Sequence, residues 1–187
     1  MRWTAVVPLK QTDAVKSRLG GVLPVGARTD LVESMVRHVL GVLRSVPQVG
    51  RIVLLTTYRP PWWDGDWADD GEASLNDALA TWRASHGKGA IVVVHGDLPY
   101  VSNLDVQALL DAATQAGAAM ATDTHGTGTN ALAIADERPF TFQFGPGSRK
   151  AHAAAGQLIC LDRPGLARDI DTPGDLAALI EAEVYSM

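Results

Sequence analysis

Two rhythms alternate along the chain. Short, continuously apolar runs, WTAVVP (3–8), RIVLLTT (51–57) and AIVVVHG (90–96), read as strands buried on both faces. Between the first two, ARTDLVESMVRHVLGVLRSV (27–46) repeats its apolar positions Leu31, Met35, Val39 and Val42 at three- and four-residue spacing, which predicts a helix with one apolar stripe. Residues 75–85 predict a second helix, and Ser102 or Asn103 caps a third that runs to about Gly117. AAMATD (118–123), ALAIA (131–135) and QLICLD (157–162) predict further strands. TPGDLAALIEAEVY (172–185) predicts the last helix, with Thr172 as its N-cap and Pro173 at the first helical position.

Strand and helix in that order predict one α/β domain over 1–187, with a mostly parallel sheet flanked by helices. Ligands of such sheets bind outside the carboxyl ends of the strands, so the residues that follow each strand carry the functional question. YRPPWWDGDWADDGEA (58–73) fits neither rhythm, with three tryptophans and five acids and no period, and reads as a surface loop. Its tryptophans admit three readings: a lid over a pocket, an interface, or packing beneath the loop.

Composition narrows the classes. The 187 residues are 47% hydrophobic with a net charge of -5, an ordinary globular balance without a basic footprint for nucleic acid. The single cysteine forms no internal disulfide, and Cys160 in a strand reads as a small buried hydrophobe. No CxxC or HExxH spacing suggests zinc. MRWTAVVPLK does not read as a secretory leader, and no apolar run approaches the ~20 residues that span a bilayer. A cytoplasmic protein without membrane or nucleic-acid partners is the expectation.

After the first strand, PLKQTDAVKSRL sets Lys10, Lys16 and Arg18 within nine residues. They form either a solvated loop or a polyphosphate cradle, and GxxxxGK[ST] is absent. After the third strand, GDLPY places Asp97 at the sheet's carboxyl edge as a candidate metal ligand. DTHGTGTNAL (123–132) is either a plain hairpin turn or a ligand loop in which Thr127, Thr129 and Asn130 supply polar contacts. FQFGPGSRKAH (142–152) turns at Gly145, Pro146 and Gly147, and Ser148 begins a short helix, as an anion site or as a plain cap. Near the end, RDID sets Asp169 and Asp171 on one side of an extended segment and Ile170 on the other. Two parallel carboxylates repel unless a cation screens them, and magnesium, which bridges carboxylates to phosphates, suits them with Asp97 as a third ligand.

Six motifs, VPLKQTDAVKSRL, SLNDAL, GDLPY, GTGTNAL, FGPGS and GLARDIDTPGDL, follow one another over nearly the whole chain. Together they resemble the phospholactate or phosphoenolpyruvate guanylyltransferases of deazaflavin coenzyme F-420 biosynthesis. The resemblance implies a single Rossmann-like nucleotidyltransferase domain, similar to the molybdopterin-guanine-dinucleotide enzymes, and a Mg2+-dependent transfer of GMP from GTP to a small phosphorylated acid. It implies Asp97, Asp169 and Asp171 as metal ligands and Lys10, Lys16 and Arg18 as triphosphate cations. Lys16, Arg18 and Asp97 are then the catalytic set. Asn76 would lie beside the nucleotide, and Thr129, Gly145 and Ser148 would hold phosphoenolpyruvate or 2-phospholactate. His152 is a candidate for the acceptor carboxylate, with His125 the weaker one. Ser74 departs from the family's glycine at that turn, and the tryptophan-rich loop matches no family pattern. The competing readings are another acceptor (3-phosphoglycerate, a sugar phosphate or a pterin cofactor) and a GTP-binding regulatory domain without catalysis. A homodimer and functional coupling to the next enzyme of the pathway are expectations that no residue pattern fixes.

Overall fold

The computed structural model describes residues 1–10, 16–86 and 89–184. Within them, one sheet holds strands β1 (Trp3–Pro8), β2 (Val49–Leu55), β3 (Asp66–Ala68), β4 (Ile91–Val94), β5 (Ala118–Ala121), β6 (Ala131–Ile134) and β7 (Ile159–Leu161). Their order across the sheet is β3-β2-β1-β4-β6-β5-β7. Every pairing is parallel except those of β6, which runs antiparallel to both β4 and β5. The sheet is thus mostly parallel, and DTHGTGTNAL is the hairpin that reverses the chain into β6.

Helix α1 (Val25–Ser45) buries Met35, Val36, Val39, Leu40 and Leu43, the one-sided stripe that the spacing predicts. It stops at Val46, whose extended backbone is what a residue before Pro47 adopts. Helix α3 (Asn103–Ala116) starts in a reciprocal capping box between Ser102 and Asp105 and ends at Gly117, where φ of 87° favours glycine. Both helices pack on one face of the sheet, over Trp3, Ala5, Val7 and Val92. The other face, with Val6, Val53 and Val93, is covered by α2 (Leu75–His86) and by Phe142 and Phe144. The short helices α4 (Ser148–Ala154) and α5 (Pro164–Ala167) precede α6 (Pro173–Val184). The Thr172 hydroxyl accepts from the Asp175 amide, as the expected N-cap of α6 does.

Two expectations need correction. The 58–73 segment is not all loop, because Asp66–Ala68 adds an edge strand to β2. Of its tryptophans, Trp62 and Trp63 take the packing reading, while Trp67 is 40% exposed and donates to the Thr56 carbonyl. Trp62 lies against the core and Trp63 is buried, with the Arg37 guanidinium of α1 4.6 Å over the Trp62 ring and that of Arg44 4.8 Å over the Trp63 ring. Cys160 is exposed, because β7 is a sheet edge and two of its three residues face outward.

Candidate active site

The sheet order reverses at β1, since the chain steps from β1 out to β2 and then returns to place β4 on the other side. Parallel sheets open a crevice at such a switch point. Here a cavity of about 210 Å³ lies between the carboxyl ends of β1 and β4, lined by Pro8, Leu9 and Lys10 on one side and His95, Gly96 and Asp97 on the other. Gly96 lets the strands and α1 close up, because a Cβ at that position would sit 2.6 Å from Val36 Cγ2.

The three predicted metal ligands converge at this edge. Asp97, Asp169 and Asp171 each offer a carboxylate oxygen, and these oxygens lie within 4.8 Å of one another. Ile170 explains how. Its side chain is buried with Leu19, Met35 and Leu179, clamping the segment between α1 and α6, so that its two acidic neighbours project the other way. The Ile170 amide also donates to the Asp97 carbonyl at 3.3 Å, stitching the two acidic segments together.

Lys16 sits among these acids. Its ammonium donates to Asp97 at 2.5 Å and to Asp171 at 2.9 Å, and Arg18 donates to the other Asp171 oxygen at 3.1 Å. Lys16 holds a left-handed backbone at φ 48°, a conformation that costs a non-glycine residue about 1 kcal/mol or more and is typical of functional positions. Burial works against charge on Lys16, but Asp97 and Asp171 outweigh it and raise its pKa. Burial likewise pushes the Asp97 carboxyl up, and the Lys16 ammonium overrides it, holding Asp97 below the ordinary range. Asp169 goes the other way, raised by burial and then by the charge of Asp97. The Asn130 amide, donating to Asp169 at 3.3 Å and to the Ala167 carbonyl at 3.1 Å, fixes its orientation. Asp97 Oδ1 is buried without any hydrogen-bond partner among the described residues.

The remaining predicted residues divide. Lys10 is exposed and lines the cavity. Asn76 gives both ends of its amide to the backbone of Phe144, at 3.0 and 2.7 Å, and so braces the segment that carries Gly145. Thr129 and Ser148 are buried, at 3% and 1% exposure, beneath that segment, and Gly145 is exposed at φ 123°. Gly147, not Ser148, is the cap of α4, and Ser148 is its first helical residue.

His152 does not face a ligand. It is fully buried, its Nε2 accepts from the Gln143 amide at 2.9 Å, and its Nδ1 lies 3.0 Å from the Thr129 hydroxyl. An amide donor on Nε2 requires the neutral Nδ1–H tautomer, so Nδ1 donates to Thr129. Burial lowers its pKa to about 4. His125 lines a second surface hollow, at the β5–β6 hairpin, which Ala167 and Arg168 also line. His95 was not singled out by sequence reasoning, although it lines the cavity, packs tilted against Phe144 with ring centroids 5.2 Å apart, and leaves Nε2 buried without a partner among the described residues. Its only sequence signal is its place two residues before Asp97 at a strand end.

Comparison with known proteins adds an independent line. The profile of the family described as "Guanylyl transferase CofC like" matches residues 3–181. The chain is 36% identical to the phosphoenolpyruvate guanylyltransferase of Rhodococcus opacus (strain B4), across 92% of this chain and 82% of that protein. It is 34% identical to the enzyme of the same name from Chloroflexus aggregans (strain MD-66 / DSM 9485), across 95% and 96%. Among solved structures, it is similar to a nucleotidyl transferase from Methanothermobacter thermautotroptrophicus at TM-score 0.68 and 15% identity, covering 100% of this chain and 99% of that one. A 4-diphosphocytidyl-2C-methyl-D-erythritol synthase from Anaerococcus prevotii DSM 20548 gives TM-score 0.64 at 11% identity, covering 96% and 98%. These two likenesses speak for the shared fold.

Proposed function

The chain belongs to the CofC-like guanylyl transferase family, and from that premise we propose that it transfers GMP from GTP to phosphoenolpyruvate, releasing pyrophosphate, as a step of coenzyme F-420 biosynthesis. The observation that carries this reading is the convergence of Asp97, Asp169 and Asp171 beside Lys16 at the switch-point cavity. Binding a nucleotide alone does not require three acids at one point. A cytoplasmic setting and hand-over of the product to the next enzyme belong to the same reading.

The acid trio fits Mg2+. Its donors are carboxylate oxygens, the ligands a hard divalent cation takes, and Asp97 Oδ1 is a buried acceptor with no other partner among the described residues. Magnesium held there would supply charge neutralisation on the triphosphate.

The chain's own residues do the rest. The acceptor already carries an anionic phosphate, so no protein nucleophile is needed. An oxygen of that phosphate forms a bond to the α-phosphorus of GTP while the bond from that phosphorus to the bridging α–β oxygen breaks, and pyrophosphate leaves. Lys10 and Arg18 would bind the triphosphate, and Lys16, whose charge is held by two aspartates, would mark the reacting end. Gly145, exposed at the turn before α4, would contact the acceptor, with the buried Ser148 and Thr129 supporting that side of the pocket, and positioning two polyanions supplies much of the rate.

The test is pyrophosphate release from GTP and Mg2+ with phosphoenolpyruvate, 2-phospho-L-lactate or 3-phosphoglycerate supplied separately. Release is expected with phosphoenolpyruvate at the highest kcat/KM. Release only with one of the other acids would move the acceptor assignment. Silence with all three, while GTP still binds, would overturn guanylyl transfer to a small phospho-acid.

A further inference from the structure

Both oxygens of Asp171 are already engaged by cations. Oδ1 accepts from the Lys16 ammonium at 2.9 Å and Oδ2 from the Arg18 guanidinium at 3.1 Å, while Asp97 gives its Oδ2 to the same ammonium at 2.5 Å. An ion held by all three acids must therefore share or take an oxygen that already serves a cation. Sharing sets a divalent charge against a unit charge across a few ångströms, so one of the two side chains has to give way.

The two are not equivalent. The Arg18 side chain is 72% exposed and reaches Asp171 from the rim. The Lys16 side chain is 10% exposed and ties Asp97 to Asp171, the two segments that a metal ion would have to bridge. Three carboxylates face these two cations, which leaves a single negative charge to draw a strongly hydrated divalent ion out of water.

Lys16 can leave the acids without refolding. Its carbonyl accepts from the Leu19 amide at 2.8 Å and from the Arg28 guanidinium at 3.4 Å, which pins the backbone. Its side chain, on a flexible stem, lines the cavity of about 210 Å³ between β1 and β4. A buried ammonium does not give up two carboxylates for an apolar wall. Phosphate oxygens entering that cavity would keep it paired as it moves.

We propose that Lys16 is the resident counter-ion of the metal site: it closes the acid trio in the nucleotide-free protein and yields the trio to a divalent ion when a triphosphate takes over its ammonium. The proposal rests on the reading of the trio as a Mg2+ site and of the cavity as the place of the triphosphate. It adds an order of events that the acids alone do not supply. The nucleotide-free protein binds metal weakly, and metal and nucleotide raise each other's affinity by the same factor.

The experiment is a titration of nucleotide-free protein with Mn2+ as the probe ion, free Mn2+ being followed by electron paramagnetic resonance, for wild type, Lys16→Met and Arg18→Met. Lys16→Met is expected to bind Mn2+ at least about tenfold more tightly than wild type, the scale of a charge-assisted hydrogen bond no longer in competition. Arg18→Met removes the same charge from the exposed rim and is expected to gain less than about fivefold. The gain is expected to vanish when Asp169→Asn is added to Lys16→Met, which places the ion at the trio. In parallel, calorimetry of GTP binding in Mg2+ and in EDTA is expected to show a smaller gain from Mg2+ in Lys16→Met than in wild type. Equal Mn2+ affinity in wild type and Lys16→Met would overturn the proposal, as would an equal gain in Arg18→Met, which would reduce the effect to net charge. An equal Mg2+ gain for GTP in the two proteins would overturn the coupling. If Asp169→Asn still abolishes Mn2+ binding in those cases, the trio remains a metal site and only the role of Lys16 falls. Mn2+ binding that ignores Asp169→Asn in both backgrounds would sink the metal reading itself, and the proposal with it.

Discussion

Lys16 and His152 carry the two lessons at the scale of single residues. The spacing of Lys10, Lys16 and Arg18 marks them as cations, but nothing local in the sequence says that Lys16 folds onto Asp97, 81 positions away, and Asp171, 155 away. The alternation in RDID does foretell that Asp169 and Asp171 project together, because Ile170 can satisfy its apolar side chain only by pointing into the core. For His152 a polar residue after a glycine turn reads as a ligand contact, and the fold instead seals it in as a hydrogen-bond spacer between Gln143 and Thr129. Its folded pKa of about 4 lies below the ordinary 6.5, so the native state refuses a proton that the unfolded chain accepts between those values. Stability is therefore expected to fall as pH drops from about 6.5 towards 4, and to be insensitive to this group above 6.5. His95 is shifted in the same direction, so the comparison that isolates His152 is urea unfolding of wild type and His152→Gln between pH 4.5 and 7. The variant is expected to show a shallower decline, and identical slopes would contradict the assignment.

Elements with a strong period were legible, and those set by tertiary pairing were not. The α1 stripe and the α3 start at Ser102 follow from spacing and capping chemistry. Strand β3 is three residues long, with a tryptophan between a charge and an alanine, and acquires its identity only by pairing with β2. The reversal of β6 has no signal in ALAI itself, since a strand buried on both faces looks the same in either direction, and only the glycine-rich turn before it hints at a hairpin. The α3 capping box is a test of local chemistry separate from the site. Ser102→Ala is expected to cost about 1 kcal/mol in urea unfolding, with kcat nearly unchanged. A cost near zero would mean that Asp105, also bound by Arg163 at 3.0 Å, holds that turn without the serine.

On the scale of the whole molecule, the switch point in the sheet sets where the candidate site lies. A chain of net charge -5 brings Lys10, Lys16 and three acids to one edge, between the strand ends that topology separates. That edge carries the acid trio beyond β4 and Lys10 at the end of β1. No helix among the described residues is long and apolar enough to cross a membrane. The claim on which everything else depends is that the acid trio, not the cavity alone, performs the transfer. It is tested most directly by Asp171→Asn, assayed for pyrophosphate release from GTP and phosphoenolpyruvate over a Mg2+ titration, with GTP binding and thermal unfolding measured in parallel. Asp171 is nearly half exposed, so the variant should fold. The expected result is a loss of at least about a thousandfold in kcat, some 4 kcal/mol of barrier, with folding intact. Wild-type turnover with an unchanged Mg2+ response would contradict the metal assignment and the mechanism built on it.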